Sequence, residues 1–220
     1  ILETARKLFN AKGLHRVGVR DVARAAGISV GNLSYHFATK DDVVAALVRG
    51  LAAQNARDVF GTLPSDFSFA TLYVAAVRSM RGSLAYRFVL LSYVDAVVSS
   101  PELQALDAEL TAVRSARAAK MIALLASNGY VRARPTLARV ERIFEQSELI
   151  SSGWLRAAER QRARFPHDNI AVLHFAKLGC ALFEPYCTDR GARHLRRILA
   201  GGLDDMALGR EAKPGARTST

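Results

Sequence analysis

The sequence predicts an all-α protein, and three of its features support this fold class. Half of the 220 residues are apolar and only 8% are aromatic, which suffices for a packed core and is too hydrophobic for a disordered chain. Apolar residues recur at helical spacing along most of the chain, whereas the alternating pattern of strands is scarce. Turn-forming residues separate the periodic segments. We therefore expect packed helices and no sheet.

The first two predicted helices lie before Gly27. Ile1, Ala5 and Phe9 fall on one face of a helix that ends at Gly13. Apolar residues at positions 19, 22, 23 and 26 then predict a second, short helix. Gly27 ends this helix, because glycine enters positive φ with little steric cost.

Two further helices are predicted after this turn. Ser29 is a favourable N-cap for a third helix that runs to about His36. Thr39 can cap a fourth helix, which is expected to extend from Lys40 to about Thr62. Two aspartates fall in the first turn of that helix, where the helix dipole favours negative charge.

The remainder of the chain is predicted to form five or six more helices. Glycine-, proline- and serine-containing segments mark their ends. The predicted helices cover residues 67–80, 83–99, 102–127, 136–164, 168–187 and 191–207. Residues 209–220 carry no apolar face and are expected to form a flexible tail.

The segment from residue 19 to residue 37 has the pattern of a helix-turn-helix. The small Ala23 lets two helices cross closely, Gly27 allows the sharp turn, and Ile28 and Leu33 anchor the second helix on the first. The opposite face of that helix carries short or hydrogen-bonding groups, which suit a DNA major groove. These candidate DNA-binding residues are Ser29, Val30, Gly31, Asn32, Ser34, Tyr35 and His36. Asn32 can bind adenine bidentately.

Several short motifs extend this pattern over residues 1–50. They are Ile1-Leu-Glu-Thr-Ala, Leu8-Phe9, Lys12-Gly13, Val19-Arg-Asp-Val-Ala, Ala26-Gly-Ile-Ser and Tyr35-His-Phe-x-x-Lys40. In order and spacing they resemble the N-terminal domain of the TetR/AcrR family of bacterial transcriptional regulators. The resemblance implies a homodimer that binds double-stranded operator DNA of near-palindromic sequence and responds to a small-molecule effector. It also implies phosphate contacts from Tyr35, from Lys40 and from the start of the second helix, where Arg20 lies.

Three positions depart from the family's usual pattern. Val17 and Gly18 stand where a threonine or serine is common before the second helix, so a side-chain cap and a hydroxyl contact are lost. Val30 replaces a frequent lysine and Ser34 a frequent tyrosine. Fewer phosphate contacts would make the salt dependence of DNA binding shallower than is usual in the family.

Some of these residues have a second interpretation. Phe37 is better explained as part of the three-helix core, and His36 fits a core or a DNA-contact role equally well. Arg20 and Arg24 are as readily solvated as bound to phosphate. The expected organisation is a helix-turn-helix DNA-binding domain over residues 1–45, a helical ligand-binding and dimerisation domain over 46–208, and a tail over 209–220.

The helical body carries no motif of comparable specificity. A helix bundle can hold a pocket lined by apolar groups and a few polar ones. The candidate ligand-binding residues are Tyr73, Phe88, Tyr93, Asp95, Met121, Phe144, Trp154 and His174. Each aromatic among them, taken singly, is better explained as ordinary core.

Asp95 is the unusual member of this set, because it interrupts an apolar run. If the carboxylate is buried, it needs a partner. Arg87, Arg114, Arg117 or a cationic ligand could serve, and a surface position for Asp95 explains the sequence equally well.

The resemblance implies that two late helices of each subunit pair in the dimer. By position these are the predicted helices 136–164 and 168–187. The candidate interface residues are Leu149, Ile150, Leu155, Val172, Phe175, Leu178, Leu182 and Phe183. They could also close the core of the monomer.

Charge and composition narrow the function only slightly. The net charge is +11, but residues 1–62 contribute a surplus of four positive charges and the rest a surplus of seven, so basicity is not concentrated in the helix-turn-helix region.

The longest apolar runs are too short to span a membrane. Two cysteines, Cys180 and Cys187, are placed in one helix about 10 Å apart, too far for a disulfide, and a reducing cytoplasm follows.

Other functional classes find less support. No phosphate-binding loop, hydrolase motif or zinc-ligand spacing occurs in the sequence, so we expect no catalytic residues, no metal and no cofactor. The alternative function is a helical small-molecule sensor or protein adaptor that no longer binds DNA.

Overall fold

The computed structural model describes residues 1–58, 61, 63–132 and 136–210. These residues form α-helices joined by short turns, together with one isolated antiparallel bridge between Val131 and Cys187. The helices are α1 Leu2–Lys12, α2 Val19–Ala26, α3 Val30–His36, α4 Lys40–Asp58, α5 Phe69–Ser83, α6 Arg87–Ser99, α7 Pro101–Ser127, α8 Leu137–Arg160, α9 Asp168–Ala181, α10 Asp189–Leu199 and α11 Asp204–Leu208. The predicted all-α fold class is therefore confirmed.

Several predicted helix boundaries were wrong. The fourth helix is described from Lys40 to Asp58, and residues 59, 60 and 62 of its expected extension lie outside the described residues. A 3-10 turn over Leu84–Tyr86 precedes α6, and α8 ends at Arg160 rather than near residue 164.

The two C-terminal predictions each merged separate elements. The predicted helix 168–187 ends at Ala181 and is followed by a 3-10 turn, Glu184–Tyr186, whose proline cannot continue an α-helix. The predicted helix 191–207 is interrupted by Gly201, which has φ of 90°. Cys187 therefore lies outside α9, and the placement of both cysteines in one helix was wrong; both are buried free thiols.

We call α1–α4 the head and α5–α11 the body. The expected domain boundary between residues 45 and 46 falls inside α4, which continues to Asp58. The body has its own apolar cluster, centred on Trp154 and Tyr73, and its buried members come from α5, α7–α11 and the connecting turns.

A second apolar cluster belongs to both parts of the molecule. Phe9 and Leu33, both fully buried, lie at its centre in the head. Phe88 from α6 and Leu103 from α7 complete it, and the rings of Phe9 and Phe88 lie 5.3 Å apart. The head therefore packs directly against α6 and the start of α7 of the body.

Candidate nucleic-acid interface

The start of α2 and the turn between α2 and α3 are set by two glycines and two polar side chains. Gly27 ends α2 with φ of 69° and ψ of 27°, the left-handed conformation that glycine reaches most easily. Ser29 begins α3, where its Oγ accepts a hydrogen bond from the Asn32 N–H at 3.1 Å. Gly18 caps α2 without a side chain, and its own N–H donates to Asp21 Oδ2 at 3.0 Å. Asp21 thus supplies one half of a capping box, while position 18 has no side chain that could accept from the first N–H groups of α2.

The start of α4 is fixed by a reciprocal capping box. Thr39 Oγ1 accepts from the Asp42 N–H at 3.1 Å, and Asp42 Oδ2 accepts from the Thr39 N–H at 2.8 Å. Both unpaired donors at this helix end are thereby satisfied. The capping box therefore fixes the start of α4 at Lys40, a few residues after the end of α3 at His36.

Burial divides α3 into two faces. Leu33 is fully buried in the head cluster, while every other residue of α3 is exposed. Tyr35 has 86% of its surface exposed and its ring meets that of His36 edge-on at 5.2 Å. An aromatic side chain this exposed gains little from folding. The solvent-facing candidates predicted from the sequence are brought together here: Ser29, Val30, Gly31, Asn32, Ser34, Tyr35 and His36.

The flanking residues are placed differently from one another. Arg20 is exposed on α2, and Arg24 pairs loosely with Asp21 at 3.5 Å. Lys40 is half-buried, and its Nζ donates to the Leu14 carbonyl at 3.2 Å. Phe37 is half-buried against the head cluster, which confirms its interpretation as a core residue.

The head and the body are joined by a polar clamp that the sequence did not reveal. Asn10 donates from Nδ2 to the Ala85 carbonyl at 2.8 Å and accepts from the Phe88 N–H at 3.1 Å. Arg6 donates to the same Ala85 carbonyl and lies over the Tyr86 ring at 5.3 Å. Because these partners are more than 70 residues apart, no local pattern could identify them.

The predicted ligand-binding residues do not surround one cavity. Tyr73 and Trp154 are buried in the body cluster, and Phe88 is buried in the joint with the head. Tyr73 donates to Asp204 at 2.7 Å. Met121, Phe144 and His174 are partly buried on separate helices. Most of these eight candidates pack against neighbouring helices in this conformation, and their role in ligand binding stays a prediction.

Asp95 is not a buried carboxylate. Its side chain is 63% exposed and it faces His15 Nε2 of the head at 3.3 Å. Two of the arginines considered as its partners pair elsewhere: Arg87 binds Glu159 and Asp168, and Arg114 binds Glu148. The surface interpretation of Asp95 is the correct one.

Tyr93 retains an unusual feature. It is 7% exposed, and its hydroxyl is the buried side-chain oxygen or nitrogen that lacks a hydrogen-bond partner within the described chain. Burial, followed by the nearby Asp107 carboxylate, raises the pKa of Tyr93 to about 12. A buried hydroxyl without a partner costs about 1–3 kcal/mol, so this group is available to a bound polar atom.

The predicted interface residues separate into two groups. Leu155 and Val172 are fully buried and Phe183 is 7% exposed, all within the body cluster. They close the core of the single chain, which is the alternative that the sequence left open, and their place in a dimer interface stays a prediction. Leu149 on α8 is 73% exposed and Leu178 on α9 is 43% exposed. The remaining candidates, Ile150, Phe175 and Leu182, are partly buried against the body cluster.

Other classes of site find no counterpart among the described residues. Within that part of the chain, no group of three histidine, cysteine, aspartate or glutamate side chains is placed to hold a metal. None of the described helices combines the length and hydropathy needed to cross a bilayer.

These features define a helix-turn-helix protein, and comparison with known proteins gives the family. Residues 1–47 match the sequence model of bacterial regulatory proteins of the tetR family, and residues 46–195 match that of a bacterial transcriptional repressor from the same family. The chain belongs to the TetR family of transcriptional regulators.

Individual relatives resemble this chain over different lengths. The chain is 46% identical over 50 residues to the transcriptional repressor KstR2 of Mycobacterium tuberculosis (strain CDC 1551 / Oshkosh), which covers 23% of this chain and 25% of the relative. The match thus spans about a quarter of the length of this curated relative.

Two solved structures match almost the whole fold. A TetR-family regulator from Marinobacter aquaeolei VT8 has a TM-score of 0.75 at 22% identity and covers 96% of this chain and 97% of its own. The KstR2 structure from Mycobacterium tuberculosis has a TM-score of 0.57 at 20% identity, covering 86% and 93%. These likenesses establish the shared fold.

Proposed function

We propose that this regulator binds a near-palindromic DNA operator as a homodimer and that a small-molecule effector releases it. The observation that carries the proposal is the exposed face of α3. It presents hydrogen-bonding side chains and one 86% exposed tyrosine next to a buried anchor, Leu33. A recognition helix that enters the major groove needs this division of faces.

Individual side chains of this face have distinct proposed roles. Asn32 reads adenine, and Val30 contacts a thymine methyl. Gly31 keeps the backbone close to the groove: a Cβ there would lie 3.9 Å from Ser29 Oγ, so the fold itself does not require glycine. Tyr35, Lys40 and the exposed Arg20 contact phosphates. His36 and Ser34 complete the surface.

The dimer is proposed to form through α8 and α9. Leu149 and Leu178 leave large apolar surfaces exposed on these two neighbouring helices, and Ile170 adds 43% exposure at the start of α9. A two-fold interface there would hold two heads at half-sites one DNA turn apart.

Replacing Leu149 and Leu178 with arginine should shift sedimentation to the monomer, whereas Val113→Arg, at a 51% exposed position on α7, should not. A dimer that survives the double substitution contradicts this interface.

The effector is proposed to bind near Tyr93, between α4, α6 and α7. The buried hydroxyl has no partner within the described chain, so an effector atom could satisfy it. This position lies in the cluster shared by head and body, where inserted volume would change the angle of the head. An effector that releases DNA must prefer the released conformation, and operator DNA must weaken effector binding by the same factor.

The proposal assigns residues 1–45 to DNA binding, 46–208 to effector binding and dimerisation, and 209–220 to a tail. It places the protein in the bacterial cytoplasm, with no catalytic role and no cofactor.

Genomic footprinting of the purified protein, followed by titration of the fragments it finds, tests the proposal. We expect protection of near-palindromic sites and binding that weakens steeply with salt. Absence of any sequence-preferring, salt-sensitive binding would favour the alternative, a helical sensor or adaptor that no longer binds DNA.

A further inference from the structure

The exposed face of α10 carries an unusual concentration of arginine. Arg190, Arg193, Arg196 and Arg197 are all exposed, and Asp189 is the only carboxylate in the helix. Four positive charges against one negative charge fall within 11 residues. This one helix therefore supplies three of the seven surplus positive charges outside the head.

Among these guanidinium groups, Arg190 contacts Tyr130, and the other three take part in no ion pair of the described fold. Arg193, Arg196 and Arg197 form no ion pair with any described carboxylate. Asp204, the acidic residue that follows the helix, is already bound to Lys177 at 2.7 Å. Arg190 lies over the Tyr130 ring at 4.6 Å and can donate to its hydroxyl at 3.3 Å, an orientation that leaves its charge at the surface.

The patch lies far from the recognition helix. Leu103 and Leu106, at the start of α7, pack in the cluster shared with the head. The other end of this 27-residue helix leads to Tyr130, against which α10 begins: Thr188 N–H donates to the Tyr130 carbonyl at 3.1 Å. A helix of that length spans about 40 Å. The part of a duplex that is bound to α3 is therefore not the partner of the α10 arginines of the same chain.

We propose that the exposed arginine face of α10 is a second, sequence-independent binding surface for duplex DNA. Guanidinium groups suit phosphate, because their planar donors can bind two oxygens at once. Arginines at 190, 193 and 197 lie on one side of the helix at spacings of three and four residues. They form a row of charge that can follow a phosphate backbone.

Two other polyanionic partners fit less well. An anionic membrane would require the apolar face of the helix, but Leu195 and Ile198 are buried in the body at 1% and 0% exposure. A protein partner would be expected to meet an apolar centre, and the exposed residues of α10 are the four arginines and Asp189. The arrangement favours contacts to phosphate alone, which carry no sequence information.

The functional consequence is a molecule with DNA-binding surfaces at two ends. The head would select the operator, and the α10 surface would hold a second segment of duplex with low specificity. Such a surface would raise the local concentration of the regulator on DNA and could bring two segments together. This inference does not depend on operator recognition, because it concerns residues that the head does not contain.

The test measures binding to a short duplex of unrelated sequence in a background that removes the phosphate contacts proposed for the head, Arg20→Ala with Tyr35→Ala and Lys40→Ala. Into this background we place Arg193→Gln, Arg196→Gln and Arg197→Gln. A matched control carries Arg78→Gln, Lys120→Gln and Arg160→Gln, which remove the same charge from scattered exposed positions. Fluorescence anisotropy between about 50 and 200 mM salt gives both affinity and salt slope.

We expect the α10 variant to bind at least about tenfold more weakly than the control, with a salt slope smaller by about three. Equal affinity and slope in the two triple variants would overturn the proposal. Loss of binding to vesicles rich in phosphatidylserine, with DNA binding unchanged, would overturn it in favour of a membrane surface. If the unmodified protein lacks sequence preference but the α10 effect remains, operator recognition fails and this inference stands.

Discussion

The head and the body differ in how their cores are completed. The buried members of the body cluster, including Trp154 and Val172, come from residues 67–208. The head cluster needs Phe88, Tyr93 and residues of α7 from the body. Apolar residues of the body therefore complete the core of the head, whereas no residue of the head belongs to the described core of the body. A small head that must move benefits from such an arrangement, because a change in α6 or α7 acts directly on its packing.

The largest expected effects come from removing one large side chain from each cluster. Phe88→Ala should destabilise the joint by about 3 kcal/mol, and Trp154→Ala should destabilise the body by about 3–5 kcal/mol. Hydrogen exchange should show faster exchange in α1 and α2 for Phe88→Ala, with α9 protected as before. Trp154→Ala should lower protection in both parts. Equal loss of protection in α9 for the two variants would contradict the independence of the body core from the head.

The next effect tests the far end of the body. A Cβ on Gly191 would lie 1.8 Å from the Tyr130 carbonyl oxygen, so Gly191→Ala must displace backbone and should cost about 1–3 kcal/mol or more. Gly50→Ala is the matched control in the head, because its Cβ would meet the Tyr86 hydroxyl at an ordinary 3.8 Å. We expect that control to be neutral or slightly stabilising, since alanine favours helix. Chemical denaturation gives both values, and a tolerated Gly191→Ala would contradict the close approach of α10 to Tyr130.

The polar clamp should have an intermediate effect. Asn10→Ala removes two hydrogen bonds between α1 and the start of α6, and we expect a loss of about 1–2 kcal/mol, seen as faster exchange in the head. Asn10→Asp keeps an acceptor for the Phe88 N–H but cannot donate to Ala85. Because the second carboxylate oxygen would repel the Ala85 carbonyl oxygen, its cost should be at least as large as that of Asn10→Ala. If both variants match the unmodified protein, the clamp does not hold the head.

The smallest effect is a dependence on pH that arises in the body. Burial lowers the pKa of His174, with Arg164 and Lys177 adding to it, and burial with Arg197 and Arg190 lowers the pKa of His194. The unfolded chain binds these protons first, near pH 6.5. Above pH 6.5 neither histidine lowers the free energy of unfolding. As the pH falls from 6.5 toward the folded pKa values, the unfolded chain binds more protons than the folded chain, and the protein loses stability. The free energy of unfolding should fall between about pH 7.5 and 5.5, and less so after His174→Asn and His194→Asn. An unchanged pH dependence in that double variant would contradict this.

The sequence predicted the parts of this molecule that depend on local pattern. The turn at Gly27, the cap at Ser29 and the exposed face of α3 follow from residues within ten positions of each other. The joint between head and body could not be predicted, because Asn10 meets Ala85 and Phe88 across more than 70 residues.

Local sequence pattern also could not predict which apolar residues of the body are buried. Leu155 and Leu149 lie six residues apart on the same helix, yet one is fully buried and the other is 73% exposed. Helical spacing identifies apolar faces but does not say which neighbouring helix covers each one. The same limit explains why the arginines of α10 were counted in the net charge without being recognised as one surface.

The exposed face of α3 as the operator-reading surface is the central proposal, and one titration tests it most directly. Asn32→Ala and the control Lys120→Ala, which is exposed on α7, are compared by anisotropy on the duplex protected in footprinting. We expect Asn32→Ala to bind about tenfold to a hundredfold more weakly, with unchanged thermal stability, and Lys120→Ala to match the unmodified protein. Equal operator affinity for Asn32→Ala and the unmodified protein would contradict the assignment of this face.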